Sequence, residues 1–139
     1  MIDKRITDFI NGHHLLTLAT AKENSPYCSN CFYVYDKKKK WLIFSSDKKT
    51  KHVQDFIANP NVAGSIALKT KEVSKIQGVQ LLGTILELKG EELKMAKKQY
   101  LKAFPYARLM NPKFWAMKLI FIKMTHNELS FGKKLVWEQ

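Results

Sequence analysis

WLIFSSDKKTKHVQDFIANPNVAG, residues 41–64, joins two segments of strand character through a segment of helical character. Its first part, WLIFSS (41–46), is apolar and aromatic, which is typical of a buried strand. From Thr50 onward the apolar residues follow helical spacing, until Asn59-Pro60 ends the helix. NVAGSIAL (61–68) predicts a further strand, so a helix connects two strands here.

The residues before this segment predict one helix and two strands. The helix carries its apolar residues on one face and stops at Asn11-Gly12. LLTLATA (15–21) predicts a strand, ENSP (23–26) a turn and YCSNCFYVYD (27–36) a second strand. The lysine run 37–40 then forms a solvated hairpin tip that leads into residue 41.

The residues after it predict three more strands and one helix. KIQGVQLLGTILEL (75–88) is a long strand in which Gly78 and Gly83 mark a bulge or a close backbone approach. The helix runs from Glu91 through Phe104, and Pro105 or Pro112 ends it. FWAMKLIFIKMTH (114–126) and LSFGKKLVW (129–137) form a closing hairpin, with His126-Asn127-Glu128 as its turn.

The order of these elements predicts a mainly β fold with flanking helices (α+β). Strands dominate, and short turns between neighbouring strands favour an antiparallel barrel whose open ends or edges are covered by the helices. A chain of 139 residues is long enough for one core and too short for two ordinary ones, so residues 1–139 are predicted to form a single domain.

The composition predicts a cytoplasmic protein. No apolar run approaches the roughly 20 residues of a membrane span, and MIDKRITDFI (1–10) alternates charged and apolar residues, unlike a secretory signal. Cys28 and Cys31 lie three apart in a predicted strand, where they point to opposite faces about 10 Å apart. That separation argues against a disulfide, and the histidine spacing argues against zinc, so no metal site is predicted.

The formal charge of +12 favours anionic partners. Of the 24 cationic side chains only Arg5 and Arg108 are arginines, and base-specific DNA recognition relies on arginine more than on lysine. The charge therefore leaves nucleic acid, acidic lipid and phosphorylated ligands open, while the scarcity of arginine argues against base-specific DNA recognition and makes nucleic acid the less favoured partner.

The strongest local signal for a binding site is the start of the helix after residue 46, SSDKKTKH (45–52). Helices favour acids at their amino end, yet lysines and His52 surround this one, whereas Glu91 and Glu92 open the later helix. A bound anion would remove the mismatch, because backbone N–H groups, the hydroxyls of Ser45, Ser46 and Thr50, and lysine ammonium groups would converge on one phosphate. A simple N-cap at Ser46 or Thr50 with solvated lysines fits the local pattern equally well.

Several segments resemble the pyridoxamine phosphate oxidase-like FMN-binding split barrels, in the uncharacterised bacterial YhbP-type branch. The resemblance begins with residues 41–64, where a strand, a hydroxyl residue, a basic helix start and an Asn-Pro precede the next strand. It continues in order through SNCFYVYD, GVQLLGTILEL, AFPYARLM and LSFGKKLVW, and it covers nearly the whole chain. It implies a six-stranded antiparallel split β-barrel, a homodimer and FMN in a groove between the subunits.

The resemblance also implies the residues that hold FMN. Ser46, Lys49, Lys51 and His52 would bind the phosphate, and Asn30, Cys31 and Phe32 would line the flavin ring. Gln80, Lys133 and Trp137 would come from the second subunit. His52 departs from the family pattern, because many relatives carry a second basic side chain there.

The implied activity is that of an FMN-dependent oxidoreductase, in which the flavin carries the redox step and no side-chain catalyst is required. Neither a catalytic residue nor a substrate carries over from this branch. The alternative is a non-enzymatic binding module on the same barrel, holding another phosphorylated ligand, haem or nucleic acid. His13, His14 and His126 are the histidines that could serve a haem.

Overall fold

The computed structural model describes all 139 residues and contains three α-helices and seven β-strands. The helices are α1 (Lys4–Asn11), α2 (Lys51–Ala58) and α3 (Gly90–Ala103). Two short 3₁₀ helices cover Val73–Lys75 and Pro105–Met110. None of the helices is long and apolar enough to cross a bilayer.

The strands occupy nearly the positions that hydrophobic periodicity predicts. They are β1 (Leu15–Lys22), β2 (Ser25–Asp36), β3 (Trp41–Ser45), β4 (Asn61–Ala67), β5 (Gln77–Glu87), β6 (Phe114–His126) and β7 (Lys134–Glu138). The predicted turn ENSP contracts to two residues, Glu23 and Asn24, and both have positive φ. Such a two-residue turn matches the right-handed twist of the strands on either side, so β2 begins earlier than expected.

All strand pairings are antiparallel, and six of the strands close a ring. The sheet order is β3-β2-β1-β4-β5-β6-β7, and a further pairing of β3 with β6 completes the barrel. On one edge, β6 pairs with β3 through residues 114–118 and with β7 through residues 121–125. One edge of β6 therefore serves two strands, and β7 lies outside the ring.

The structure corrects two of the predictions. The implied count of six strands describes the ring, but the sheet has seven because β7 extends it beyond β6. The predicted last strand, 129–137, begins only at Lys134, because residues 127–133 form the connection. Its alternating pattern misleads there: Phe131 is 80% exposed, and Gly132 has a positive φ of 73° that suits a turn.

The predicted bulge lies at Gly83. The register between β5 and β6 shifts after Leu82, so Ile120 has no partner on β5. A Cβ added at Gly83 would lie 2.7 Å from the carbonyl oxygen of Lys118, which is too close for any side chain. The bulge lies on β6 between its pairings with β3 and with β7.

The main core fills the barrel, and a smaller core lies between the sheet and α3. Along β2 the odd-numbered residues from Cys31 onward are buried, whereas Cys28, Asn30 and Phe32 are exposed. Cys28 and Cys31 thus point to opposite faces as predicted, and both are free thiols. No three His, Cys, Asp or Glu side chains come together as a metal site.

Candidate functional site

A groove opens where β2 and β3 separate. The two strands pair from Asp36 opposite Trp41 to Tyr33 opposite Phe44 and then diverge. The resulting cavity has a volume of about 890 Å³, within the usual size range of small-molecule sites. Its lining residues come from β2, from the end of β3 and the residues that follow it, and from α3 and the segment between α3 and β6: Asn30, Cys31, Phe32, Ser45, Ser46, Asp47, Lys48, Tyr100, Tyr106, Ala107, Met110, Asn111, Pro112 and Lys113.

Ser46 is held firmly at the floor of this groove. Its backbone N–H donates to the Lys113 carbonyl at 3.1 Å, and its carbonyl accepts from the Trp115 indole Nε1 at 3.1 Å. Its hydroxyl lies 2.7 Å from His52 Nε2 and 3.7 Å from the Sγ of Cys31. The backbone contacts position the hydroxyl before any ligand arrives, which lowers the cost of binding.

The two titratable partners of Ser46 both favour their neutral forms. Burial lowers the pKa of His52, and the charge of Asp55 offsets this only in part. Burial also raises the pKa of the Cys31 thiol, although hydrogen bonding to Ser46 and Ser29 acts in the opposite direction. His52 is therefore a neutral hydrogen-bonding partner near pH 7, and Cys31 is a protonated thiol rather than a reactive thiolate.

The amino end of α2 has no side-chain cap. Thr50 is at the N-cap position with extended φ and ψ, but its hydroxyl donates to the Asp47 carbonyl at 2.7 Å instead of accepting from the helix. Asp47 in turn accepts the backbone N–H of Lys49 at 2.8 Å, outside the helix. The first turn of α2 contains no acidic residue either. Thr50 therefore occupies the predicted N-cap position without capping the helix through its side chain, and the N–H groups of the first turn remain available to an anion.

Lys51 is engaged within its own helix. Its Nζ lies 3.1 Å from both carboxylate oxygens of Asp55 and 4.9 Å from the centre of the Tyr27 ring. Asp55 is only 2% exposed and also accepts a hydrogen bond of 2.9 Å from the Thr20 hydroxyl. Burial would raise the pKa of Asp55, but these hydrogen bonds outweigh it and lower the pKa.

The structure brings eight of the eleven predicted site residues into one region. Asn30, Cys31, Phe32, Ser45 and Ser46 line the groove. Lys49, Lys51 and His52 belong to the segment that leads from Ser46 into the first turn of α2, and His52 contacts Ser46 directly.

The other three predicted residues lie away from the groove of their own chain. Gln80 is exposed on β5, opposite Ser65 of β4 and Lys123 of β6. Trp137 on β7 packs against the barrel core, with the Lys40 ammonium group 6.0 Å from its ring centre. Lys133 is exposed in the connection before β7.

The far wall of the groove consists of residues that the sequence pattern did not single out. They follow or end α3, and Tyr106, Met110, Asn111 and Lys113 are the principal ones. Asn111 has a positive φ of 46°, which places Pro112 and Lys113 back against the end of β3. The Asn-Pro pair at 111–112 is a turn signal, and it is the one local indication of this wall.

The groove thus offers separate polar and aromatic ends. Ser45, Ser46 and the free turn of α2 provide hydroxyl and N–H donors with lysines nearby, whereas Phe32, Tyr100 and Tyr106 provide flat apolar surface. A phosphate fits the first end and a planar ring system fits the second. The donor set and the size of the cavity therefore suit a phosphorylated aromatic cofactor such as FMN.

Comparison with known proteins agrees with this fold. A family model described as pyridoxamine 5'-phosphate oxidase matches residues 2–126. A UPF0306 protein of Yersinia enterocolitica is 40% identical over 134 residues, which are 96% of this chain and 91% of that protein. A UPF0306 protein of Yersinia pseudotuberculosis is 36% identical over the same shares.

Solved structures with low sequence identity share the architecture. A heme binding protein from Mycobacterium smegmatis superposes with a TM-score of 0.77 and 18% identity, over 90% of this chain and 52% of that one. An FAD-binding protein from Mesorhizobium loti superposes with a TM-score of 0.74 and 16% identity, over 89% of this chain and 94% of that one. The ring of strands is therefore a split barrel, and the chain belongs to the pyridoxamine 5'-phosphate oxidase family, among the UPF0306 proteins.

Proposed function

We propose that this protein is an FMN-binding flavoprotein that acts as a homodimeric oxidoreductase. The observation that carries the proposal is the groove in which the uncapped amino end of α2 and the hydroxyl of Ser46 lie beside an aromatic wall. Among the structural neighbours, the proteins from Mesorhizobium loti and Mycobacterium smegmatis described as FAD-binding support a flavin in general. FMN is the finer proposal, because one phosphate satisfies the single cluster of donors.

In this proposal the phosphate accepts hydrogen bonds from the first turn of α2 and from Ser46, and Lys49 adds its charge. The ring system lies along Asn30, Cys31 and Phe32 on β2. When bound, the flavin supplies the redox chemistry. The protein's own contribution is to orient the ring and to exclude water, and no ionised side chain is needed in the groove for that role.

The outer face of the sheet supports a second copy of this chain as the partner. Leu15, Phe32, Leu82 and Val136 are exposed apolar side chains on four different strands of the sheet. Small residues lie between them, since Ala19 of β1 is opposite Ala63 of β4, so another sheet face could approach closely. Phe32 belongs both to this face and to the groove, which supports a dimer interface that borders the flavin.

Haem is the second candidate ligand, because the structural neighbour with a TM-score of 0.77 is described as a heme binding protein. Histidine is a common protein ligand of haem iron, but the groove lining contains none, and the Nε2 of the adjacent His52 is engaged with the Ser46 hydroxyl at 2.7 Å. His13 and His14 instead line a different cavity. The groove therefore favours flavin over haem.

The test is a titration of the purified full-length protein with FMN, FAD and haemin, each followed by absorbance and, for the flavins, by fluorescence. We expect FMN to bind with quenched fluorescence and to bind more tightly than FAD. Light scattering after size exclusion should give the mass of two chains. Absence of any flavin binding, or preferential binding of haemin, would refute the proposal.

A further inference from the structure

Three large apolar side chains are exposed together on the short 3₁₀ helix that follows α3. In the segment Pro105–Met110 only Ala107 is buried, whereas Tyr106 is 58% exposed, Leu109 91% and Met110 75%. Side chains three residues apart lie one above the other in a 3₁₀ helix, so Tyr106 and Leu109 share a face. We call these three residues the apolar patch. Adjacent large apolar side chains left in water, unlike single ones, mark an interaction site.

The chain around the apolar patch is strongly basic. Residues 93–127 contain eight Lys and Arg side chains and no Asp or Glu, so they carry +8 of the formal charge of +12. Arg108 belongs to the 3₁₀ helix itself, and Lys102 lies in the last turn of α3 just before it. Both are exposed, and neither forms an ion pair.

The acidic groups on the neighbouring elements leave this charge largely uncompensated. Glu87 is already paired with Lys113 at 3.3 Å. The acids of α3 lie in its first turn, about 15 Å from Lys102 at a helical rise of 1.5 Å per residue. Across the groove, the carboxylate of Asp47 accepts a backbone N–H at the start of α2. Positive charge therefore dominates around the apolar patch.

An apolar patch within a basic surface fits an anionic bilayer better than it fits the other anionic partners. Leucine and methionine gain free energy by leaving water for the boundary of the acyl chains, while neighbouring cations stay with the lipid phosphates. Nucleic acid would engage the cations through its own phosphates, but Leu109 gains nothing at a phosphodiester backbone. A second copy that used the same face would bring like charges together, which opposes the contact.

We propose that this face docks on anionic membranes, with Leu109 and Met110 entering the interface and Lys102 and Arg108 contacting the lipid headgroups. Such a peripheral contact needs no membrane-spanning segment. Tyr106 and Met110 also line the groove, so the docked bilayer would lie beside its far wall. The inference does not depend on which ligand the groove holds.

The experiment is flotation of the full-length protein with two kinds of vesicle, one of phosphatidylcholine alone and one that also contains phosphatidylglycerol. We expect binding to be at least about tenfold tighter to the vesicles with phosphatidylglycerol, because each cation near an anionic surface adds to the attraction. Binding should weaken as the salt concentration rises, because salt screens that attraction.

The apolar contribution is tested by the double variant Leu109→Ser, Met110→Ser. It should bind anionic vesicles at least about tenfold more weakly, because two apolar side chains no longer leave water on docking. Its melting temperature should not fall, since both side chains are exposed in the free protein. The matched control is Leu129→Ser, Phe131→Ser, which removes two exposed apolar side chains before β7 and should leave vesicle binding unchanged.

The charge contribution is tested by the double variant Lys102→Gln, Arg108→Gln. Binding to anionic vesicles should fall by roughly fivefold for each cation removed. The matched control is Lys37→Gln, Lys38→Gln, which removes the same charge from the exposed tip between β2 and β3 and should have a smaller effect.

Three outcomes would overturn the inference. The first is vesicle binding that is absent, or that is equal with and without phosphatidylglycerol. The second is a change from the mass of two chains to that of one in Leu109→Ser, Met110→Ser, measured by light scattering, which would assign the apolar patch to a subunit contact. The third is binding to mixed-sequence duplex DNA that is tighter than vesicle binding and unaffected by that variant, which would assign the basic surface to nucleic acid.

Discussion

The amino ends of α2 and α3 both carry the positive end of a helix dipole, but they differ in the charges that surround it. Neither N-cap residue, Thr50 or Lys89, caps its helix with a side chain. α3 has Glu91 and Glu92 in its first turn, which complement the positive end of the helix dipole, whereas α2 has no acid there.

The difference in charge matches a difference in location. The segment that leads into α2 lines the groove through Ser46, Asp47 and Lys48, whereas no residue of the first turn of α3 lines it. The positive amino end of α3 is balanced by acidic residues of its own first turn, so it needs no ligand. The amino end of α2 has no such acid and lies beside a cavity, so it is suited to binding an anion. Each of the following experiments changes one of these two helix ends.

The largest effect is expected from Thr50→Asp, which would give α2 the cap that it lacks. The free protein should gain about 0.5–1 kcal/mol in the free energy of unfolding. FMN affinity should fall at least about 100-fold, because the new carboxylate occupies the anion site and repels the phosphate. Denaturant unfolding and fluorescence titration measure the two effects. Lys89→Asp is the control on α3, and it should stabilise without changing FMN affinity.

Removing one lysine should have a smaller effect. Lys49→Ala should weaken FMN binding by about 1–3 kcal/mol, the usual worth of a hydrogen bond to a charged group. Lys51→Ala should weaken FMN binding less, because the Lys51 ammonium group already pairs with Asp55, and it should also lower stability by removing the partner of that buried carboxylate. The double variant Lys51→Ala, Asp55→Asn separates the two roles. Unchanged FMN affinity in both lysine variants would rule out the phosphate assignment.

The pH dependence should differ between free and bound protein. Because burial lowers the pKa of His52 in the folded state, its contribution to stability is complete above the ordinary value of 6.5 and is lost as the pH falls from there through the lower folded-state pKa. A bound phosphate would favour the charged ring, so FMN affinity should rise over the same range. Unfolding and FMN-binding curves of the unmodified protein and of His52→Gln, measured between pH 7.5 and pH 5.5, isolate the contribution of His52 to stability and to FMN affinity. Parallel curves for the two proteins would contradict it.

The smallest effect is expected at α3. Glu91→Gln should lower the free energy of unfolding by about 0.3–1 kcal/mol, and Glu92→Gln by a similar amount, through loss of the favourable helix-dipole interaction. Neither should alter FMN affinity. A change in FMN binding in either variant would mean that the two helix ends are not as independent as the structure indicates.

The elements themselves were predictable because their signals are local. β6 occupies Phe114–His126 as the alternation indicates, and Pro105 marks the end of α3. β7 was misplaced for the converse reason: Leu129 and Phe131 alternate like strand residues, but the chain leaves them exposed in the turn before it pairs with β6.

Only one side of the groove could be predicted from the sequence, the side formed by a single continuous segment. Ser45, Ser46 and the start of α2 are contiguous, so charge and periodicity single them out together. The opposite wall, with Tyr106 and Asn111, meets them only after the chain has passed through β4, β5 and α3. A local pattern also does not show that the Lys51 side chain pairs with Asp55. The Asp55 carboxylate is buried beside Thr20 of β1, a residue distant in sequence, and it accepts hydrogen bonds from both side chains.

The pairing of β3 with β6 bears on the order in which the molecule folds. The hydrogen bond from Trp115 to the Ser46 carbonyl spans 69 residues of chain, and the strand pairing beside it spans a similar length. Contacts of such long range carry the greatest loop-closure entropy and tend to form late. Ser46 would then reach its final position only once the ring is closed. A ligand bound there would slow unfolding by holding that seam together, and half-folded chains with an open barrel would have no affinity for it.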